Sequence, residues 1–534
     1  MGFSDLLRTF GGIGHFQVLL IALMVIPGIL YACNNFLQNF IAVVPEHHCL
    51  LWNQTIAESP FLGDGRDKDL LRAYIPMDKA GKPEKCLRFT EPQWQLLNAN
   101  FTEEARPATE DCLDGWVYDK SVFLSSIVTE WDLVCGQKAL QSIPQTMYLA
   151  GQLLGSLVFG MLSDRFGRRK ILMCTSLMII ITSTCVAFVP TFTAFVILRF
   201  FIGSVLMGAN MAKNCLTLEW MPIERRVLAH ACNTYAYSLG TVLLSAWAYL
   251  IREWRWLQFS TSVRFPFSPC SIRALPESAR WLITHNKLHM AVKSLQKVAW
   301  INGQQEEGRK LTPEVWLREI LPTCTRIYSV RFEPTTSYLW AWLSMFTCGF
   351  TFYGLAFNLE SYDFSLYVVQ VLFGLIDIPA RLLAFISISY LGHRFTLMLW
   401  AVFSGSTIII GIFVPQDLAV LRMTLAVLGK GSMVAVLSCL FLYIVELFPT
   451  EIRQMGMSVG NTAIITGTLS SSISYITGHY IPILPSMASG MVPILSAIAA
   501  SFLIETNGLQ LLETIQEMEN RWFKYKEHRK HVLD

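Results

Sequence analysis

Long apolar runs alternate with short charged connections along most of the chain. The run Phe16 to Phe36, about 21 residues, is long enough to cross a bilayer and too long for the core of a cleavable signal, so it predicts a first span. Further runs predict spans near Leu140–Met161, Ile171–Val189, Ala194–Leu216 and Val227–Ile251, and a weak one near 255–273. They resume near Tyr338–Phe357, Ser365–Tyr390, Phe395–Val414, Leu418–Val445, Gly456–Ile476 and Ser486–Ile504, which makes twelve. An internal repeat divides them. Gly167-Arg168-Arg169 returns as Gly392-His393-Arg394 after 225 residues, Pro190 as Pro415 after 225, and Arg199 as Arg422 after 223. Glu219, Pro222 and Arg226 return as Glu446, Pro449 and Arg453 after 227. Four matches at nearly one offset indicate a duplication. The expected fold class is an all-α polytopic membrane protein, twelve transmembrane helices in two six-helix pseudo-symmetric halves, with substrate held between the halves near the bilayer midplane.

Composition narrows the function. Hydrophobic residues make up 53% of the 534 and charged residues only 15%, against about 25% charged in soluble domains. A dispersed net charge of +3 gives no footprint for nucleic acid. The nearest approach to a phosphate loop, Leu428 to Ser432, lacks the first glycine, and no HExxH, CxxC or GxSxG occurs. Neither an ATP-driven pump nor a hydrolase is expected, and no metal or cofactor.

Charge sets the expected topology. The connection Gly160 to Lys170 carries four cations and one acid, which predicts a cytoplasmic loop. About 100 residues, Leu37 to Gln137, carry sixteen acids against nine bases, four cysteines (Cys49, Cys86, Cys112, Cys135) and the sequons at Asn53 and Asn100. That combination predicts a glycosylated extracellular block with two disulfides, three pairings being open. The polar segment from Pro276 to Ser337 has nine bases against six acids and a predicted amphipathic helix from Lys287 to Ala299. The resulting layout is 1–15 cytoplasmic, 16–36 first span, 37–138 extracellular, 139–275 spans two to six, 276–337 cytoplasmic, 338–504 spans seven to twelve, and 505–534 a cytoplasmic tail.

The pattern G-x-x-x-D-R-x-G-R-R within Gly160–Lys170 resembles the signature loop between helices 2 and 3 of the major facilitator superfamily. Asp114–Asp119 (DGWVYD), Ser125–Cys135 (SSIVTEWDLVC), Pro276–Leu282 (PESARWL), Leu372–Leu382 (LFGLIDIPARL), Phe441–Met457 (FLYIVELFPTEIRQMGM) and Leu511–Asn520 (LLETIQEMEN) carry the resemblance over most of the chain. They are similar to the organic anion transporters of the organic ion solute carriers. The resemblance implies a secondary or facilitative carrier at the plasma membrane that takes up or exchanges small amphipathic organic anions without ATP. Many relatives exchange them for an intracellular dicarboxylate. A homo-oligomer stays open.

Candidate residues follow. Arg381 lies mid-span, where a cation costs roughly 2.5–3.5 kcal/mol on insertion scales and needs a partner or a purpose. Asp377 is one turn earlier, with Pro379 between them to loosen the helix. The resemblance gives this pair a central place in anion transport: a carboxylate clamp modulated by Asp377. Lys430 is expected either to supply positive potential or to pair with an acid, and Arg199 and Arg422 to pair structurally. Tyr235 with Tyr237, Phe352 with Tyr353 and Phe441 with Tyr443 are aromatic candidates for the cavity wall. Residues two apart on a helix point about 200° apart, so one member of the first and last pairs faces the cavity. The resemblance favours Tyr237, Tyr353 and Phe441, and adds Asn35, Asn39 and Met207. Asp164, Arg165, Gly167, Arg168, Arg169, Glu219, Arg226, Arg394, Glu446 and Arg453 are assigned to a cytoplasmic gate whose bonds break as the halves rock.

The chain departs from that pattern in places. Ile465 stands where relatives carry a cavity-facing arginine. With Asp377 balancing Arg381, the local positive surplus is expected to be small, favouring a monoanion or a bulky sulfated substrate. Neutral donors in the eleventh span (Thr462, Thr466, Thr468, Ser470 to Ser472) are expected to assist. Arg264, Pro266, Pro269 and Arg273 make the sixth span a poor helix, the stretch Thr323 to Ser337 is short, and Ile504 replaces a proline. Two alternatives are a cation or zwitterion carrier of the same family, which Arg381 and Lys430 disfavour, and a non-transporting relative, which the sixth span favours.

Overall fold

The computed structural model describes residues 12, 14–50, 71–78, 81–97, 107–222, 225–263, 272–273, 275–310, 336–357, 364–447, 453–478, 481, 483–503 and 505. Twelve long helices carry the described fold: α1 (His15–Phe36), α2 (Ile143–Phe166), α3 (Arg168–Ala187), α4 (Phe192–Glu219), α5 (Arg226–Leu250), α6 (Trp254–Val263), α7 (Thr336–Phe357), α8 (Leu366–Leu391), α9 (His393–Phe413), α10 (Ala419–Leu447), α11 (Arg453–Thr477) and α12 (Leu484–Ala500). Eight are long and apolar enough to cross a bilayer. The other four are α5, α6, α11 and α12. In α5 and α11, inward-facing Asn, Ser and Thr dilute the apolar content; α6 is described only to Val263, and α12 is 17 residues long.

Each boundary has a local cause. Gly167 (φ 103°) and Gly392 (φ 80°) reverse the chain between α2 and α3 and between α8 and α9, a left-handed backbone that side chains resist. Helix α8 breaks at Ile376 into Leu366–Leu375 and Asp377–Leu391, because Pro379 has no N–H for the Leu375 carbonyl.

Packing shows the duplication. Helix α1 lies on α5 as α7 lies on α11, and α3 on α4 as α9 on α10. The halves meet where α5 packs on α8 and α2 on α11. The four expectations for Arg264, Pro266, Pro269 and Ile504, and most of those for 323–337, lie outside the described residues.

The all-α expectation holds for the membrane bundle, and the block after α1 adds two short strand pairs outside it. There β1 (His47–Cys49) pairs antiparallel with β4 (Trp116–Tyr118), and β2 (Leu87–Phe89) with β3 (Thr109–Asp111). Disulfides Cys49–Cys112 and Cys86–Cys135 choose one of the three open pairings. Buried Arg88 binds Glu110 at 2.8 Å and Asp114 at 2.6 Å. Glu130 accepts from Trp254 Nε1 (2.7 Å) and pairs with Arg255, fixing the block to the first half. Asn53 and Asn100 lie outside the described residues. Beyond α6, the segment forms helices Ala279–Thr284, Leu288–Ile301 and Gln305–Lys310; the second is the amphipathic helix expected there.

Candidate functional site

Both halves line one cavity of about 390 Å³. The first half contributes Met24 of α1, Lys213 of α4 and His230, Asn233, Thr234 and Tyr235 of α5; the second contributes Arg381 and Phe385 of α8, Phe441 of α10 and Asn461 of α11. The residues from α4, α5, α10 and α11 come from the ends nearest the Gly160–Lys170 loop. The cavity therefore faces the loop end of the bundle.

Arg381 stands in this cavity and reaches across the join between halves. Its Nη1 donates to the Thr234 carbonyl of α5 (2.8 Å) and to Ser238 Oγ (2.7 Å), and its guanidinium lies 5.7 Å from the Tyr235 ring centre. The expected balance between Asp377 and Arg381 needs correction. Asp377, 0% exposed, forms its ion pair with Lys430, 2% exposed, at 2.6 Å. Its other oxygen accepts from Ser238 Oγ at 3.3 Å. Ser238 thus stands between the acid and Arg381. Lys430 also donates to the Phe373 carbonyl beside the break in α8 and lies 4.9 Å from the Phe352 ring centre. Backbone acceptors near a helix break inside a bundle need donors, and Lys430 supplies one to Phe373. Of its two expected roles, pairing with an acid is the one seen; Arg381 makes no ion pair with Asp377 among the described contacts and feels it only as a Coulomb attraction.

The aromatic candidates divide. Tyr235 and Phe441 line the cavity; Tyr237 and Tyr443, two residues on, do not. Phe441 stacks on His230 across the halves, ring centres 3.4 Å apart and 3° from parallel. Tyr237, Tyr353, Asn35 and Met207 form a closed layer between the cavity and the block end instead. Tyr237 and Tyr353 share a hydroxyl contact at 3.0 Å across the halves. Asn35 donates to Tyr237 (3.2 Å) and accepts from Tyr148 (2.7 Å) and Gln152 (2.8 Å). Tyr31 donates to Met207 Sδ at 3.5 Å. Farther out, Asn39 donates to the Ala356 carbonyl (2.9 Å), and Thr146 meets Ser472 at 2.8 Å. Phe352 and Tyr443 are buried packing.

In α11, Ile465 is buried and Ile464 lines the cavity, so position 465 does not face it here. Thr462, Thr466, Thr468 and Ser470 donate to carbonyls of their own helix, and Ser472 is held by Thr146. The neutral groups of α11 that line the cavity are Ser458 and Asn461.

At the loop end the repeat becomes geometry. Arg168 binds Asp164 at 2.8 Å and Glu219 at 3.3 Å; His393 Nδ1 stands 3.5 Å from Glu446. Glu277 accepts from the Arg169 amide (3.0 Å) at the start of α3, and Glu505 accepts from the His393 and Arg394 amides (2.9 and 3.0 Å) at the start of α9. A carboxylate at a helix N-terminus satisfies orphan donors and complements the dipole. These bonds lie within each half; none of those described crosses between halves, so the gate expected to break on rocking appears here as two rigid corners. Arg226 donates to the Met221 carbonyl at 3.4 Å, Arg165 lies over Phe166, and the Arg453 side chain is outside the described residues.

Sequence reading missed Glu277 and Glu505 as partners, although they stand 228 residues apart, close to the repeat offset. It also missed Lys213 and His230, which no motif marks. Buried Arg199 donates to Gln38 (3.1 Å) and lies 4.9 Å from the Tyr148 ring centre.

A Major Facilitator Superfamily model matches residues 121–474. Solute carrier family 22 member 6-B of Xenopus laevis is 39% identical over 97% of this chain and 95% of its own. Solute carrier family 22 member 6 of Oryctolagus cuniculus is 42% identical over 98% and 95%, and member 20 of Mus musculus 40% over 98% and 94%. Among solved structures, the inward open conformation of the xylose transporter XylE from E. coli superposes with a TM-score of 0.58 at 16% identity, covering 94% of this chain and 99% of that one.

Proposed function

Because the chain belongs to solute carrier family 22 within the major facilitator superfamily, and so is a multi-pass membrane transporter rather than an enzyme, we propose that Arg381 is the anchor on which it carries organic anions by alternating access. The observation behind this is a guanidinium that lines a cavity between the halves while its neighbouring acid is neutralised by a different cation. The wall around it is apolar and aromatic (Met24, Tyr235, Phe385, Phe441), which suits an amphipathic anion such as a monocarboxylate or a sulfated steroid.

The cycle runs on three parts. With the cavity open to the loop end, the hydroxyl and amide contacts of Asn35, Tyr237, Tyr353 and Asn39 close the block end. An arriving carboxylate or sulfate offers Arg381 a charge-assisted bond in place of the neutral Thr234 carbonyl. Because Thr234 belongs to α5 and Arg381 to α8, that exchange alters a contact between the halves. The corners built on Glu277 and Glu505 keep each half stiff while it rocks.

In the proposed orientation both termini and the Gly160–Lys170 loop lie in the cytoplasm, the disulfide-bonded block is extracellular and carries the Asn53 and Asn100 glycans, and the carrier sits in the plasma membrane. An intracellular dicarboxylate is the proposed counter-substrate. The test is uptake of labelled estrone sulfate and para-aminohippurate by expressing cells, with and without glutarate preloading. Saturable uptake that falls at least tenfold in Arg381→Ala at equal surface expression is the expected result. Surface protein that moves neither anion refutes the proposal.

A further inference from the structure

The cavity holds a second cation that the reading above does not use. Lys213 of α4 is 2% exposed and lines the cavity from the first half, whereas Arg381 enters from the second. Its Nζ donates to Asn233 Oδ1 at 2.6 Å, a neutral amide. The acids that come nearest in chain or in function are engaged elsewhere: Glu219, on the same helix, with Arg168, and Asp377 with Lys430. No carboxylate lies within ion-pair reach of Lys213 among the described residues. His230, one turn before Thr234 on α5, lies within Coulomb reach of both Lys213 and Arg381 and is fixed flat against Phe441.

An ammonium removed from water and given one amide as acceptor is costly. The lining around Lys213 is neutral and polar, with Asn214, Thr217 and Asn233 beside it in the cavity wall. A ligand with negative charge at both ends removes the cost at both sites. We infer that Lys213 is a second anion-binding residue, set in the half opposite Arg381, and that it biases the cavity toward substrates bearing two anionic groups. The inference rests on the cavity being the substrate site. It also reverses the small positive surplus expected from sequence: among the described residues the cavity is lined by two cations, one on each side, and by no acid.

The experiment compares labelled glutarate, a dianion, with labelled estrone sulfate, a monoanion, in cells expressing the full chain, with surface protein quantified. Lys213→Gln is expected to raise the glutarate KM about tenfold, the effect of one charge-assisted bond, and the estrone sulfate KM less than threefold; Lys213→Arg is expected to restore glutarate. Asn233→Ala leaves the ammonium in place and removes only its neutral acceptor, so a lower glutarate KM is expected; this variant decides the matter if Lys213→Gln does not reach the surface. An unchanged ratio of the two KM values in Lys213→Gln, or an unchanged glutarate KM in Asn233→Ala, overturns the inference. So does a wild type that carries estrone sulfate and is neither supplied nor inhibited by glutarate. The anion-carrier reading itself survives all three outcomes; it fails on its own test, a wild type at the surface that moves neither estrone sulfate nor para-aminohippurate.

Discussion

Replacing Lys430 with Met removes one partner of the buried pair and leaves Asp377 in place. Asp377 is fully buried and, among the described residues, keeps the Ser238 hydroxyl at 3.3 Å as its side-chain hydrogen-bond donor. The Phe373 carbonyl beside the break in α8 loses its ammonium donor as well. Breaking a buried pair from one side costs about 3–5 kcal/mol, because a charge is left without compensation. In a chain this long that corresponds to a fall of roughly 5 °C in apparent melting temperature. A second consequence is functional. Ser238 already touches both Asp377 and Arg381, so the released carboxylate turns toward Arg381 and competes with the transported anion. Lys430→Met is expected to lose most anion uptake, and Asp377→Asn on top of it to recover both stability and uptake, because the stranded charge is gone. The assay is a double-mutant cycle read by thermal unfolding of the detergent-purified protein and by estrone sulfate uptake. Strict additivity of the two substitutions in both readouts would refute the reasoning, since residues in contact show coupling of about 0.5–3 kcal/mol.

Three further outcomes are expected. Cys86→Ser opens the Cys86–Cys135 link across a separation of 49 residues; with a typical cost of about 2–5 kcal/mol, most of the protein should be retained before the surface, measured by surface biotinylation. Burial pushes the His48 imidazole of the disulfide-bonded block down to about 4 from an ordinary 6.5. Between those values the unfolded block binds more protons than the folded one, so stability is full above about pH 6.5 and falls as pH drops toward 4; proteolysis of the block should accelerate over that window, and much less in His48→Gln. Glu277→Gln and Glu505→Gln each weaken a helix N-terminus by about 0.5–2 kcal/mol, so both should lower the melting temperature by similar small amounts while leaving the estrone sulfate KM within twofold.

The span count and the duplication were legible because both are written in periodicity. Apolar runs of bilayer length locate helices, and Gly167 and Gly392 mark equivalent reversals. Arg381 was legible because a cation in the middle of an apolar run is costly. What escaped the sequence was partner choice. Asp377 sits one turn from Arg381, and local spacing pairs them; the fold brings Lys430, 53 residues later in the chain, closer. Local spacing also fails for Lys213, which reads as the edge of a span until α5 and α8 close the cavity around it. Tyr237 and Tyr353 were expected on the cavity wall; in this state they meet hydroxyl to hydroxyl across the halves and close the path instead. The α11 hydroxyls show the same limit: their number was visible, and their donation to their own helix was not.

The central claim is that an anion binds Arg381 in the cavity between the halves. Its most direct test is stabilisation of the purified protein by estrone sulfate, measured as the shift in melting temperature with ligand concentration. A saturable upward shift in the wild type that disappears in Arg381→Ala and returns in part in Arg381→Lys is the predicted result. An equal shift in wild type and Arg381→Ala would contradict the account.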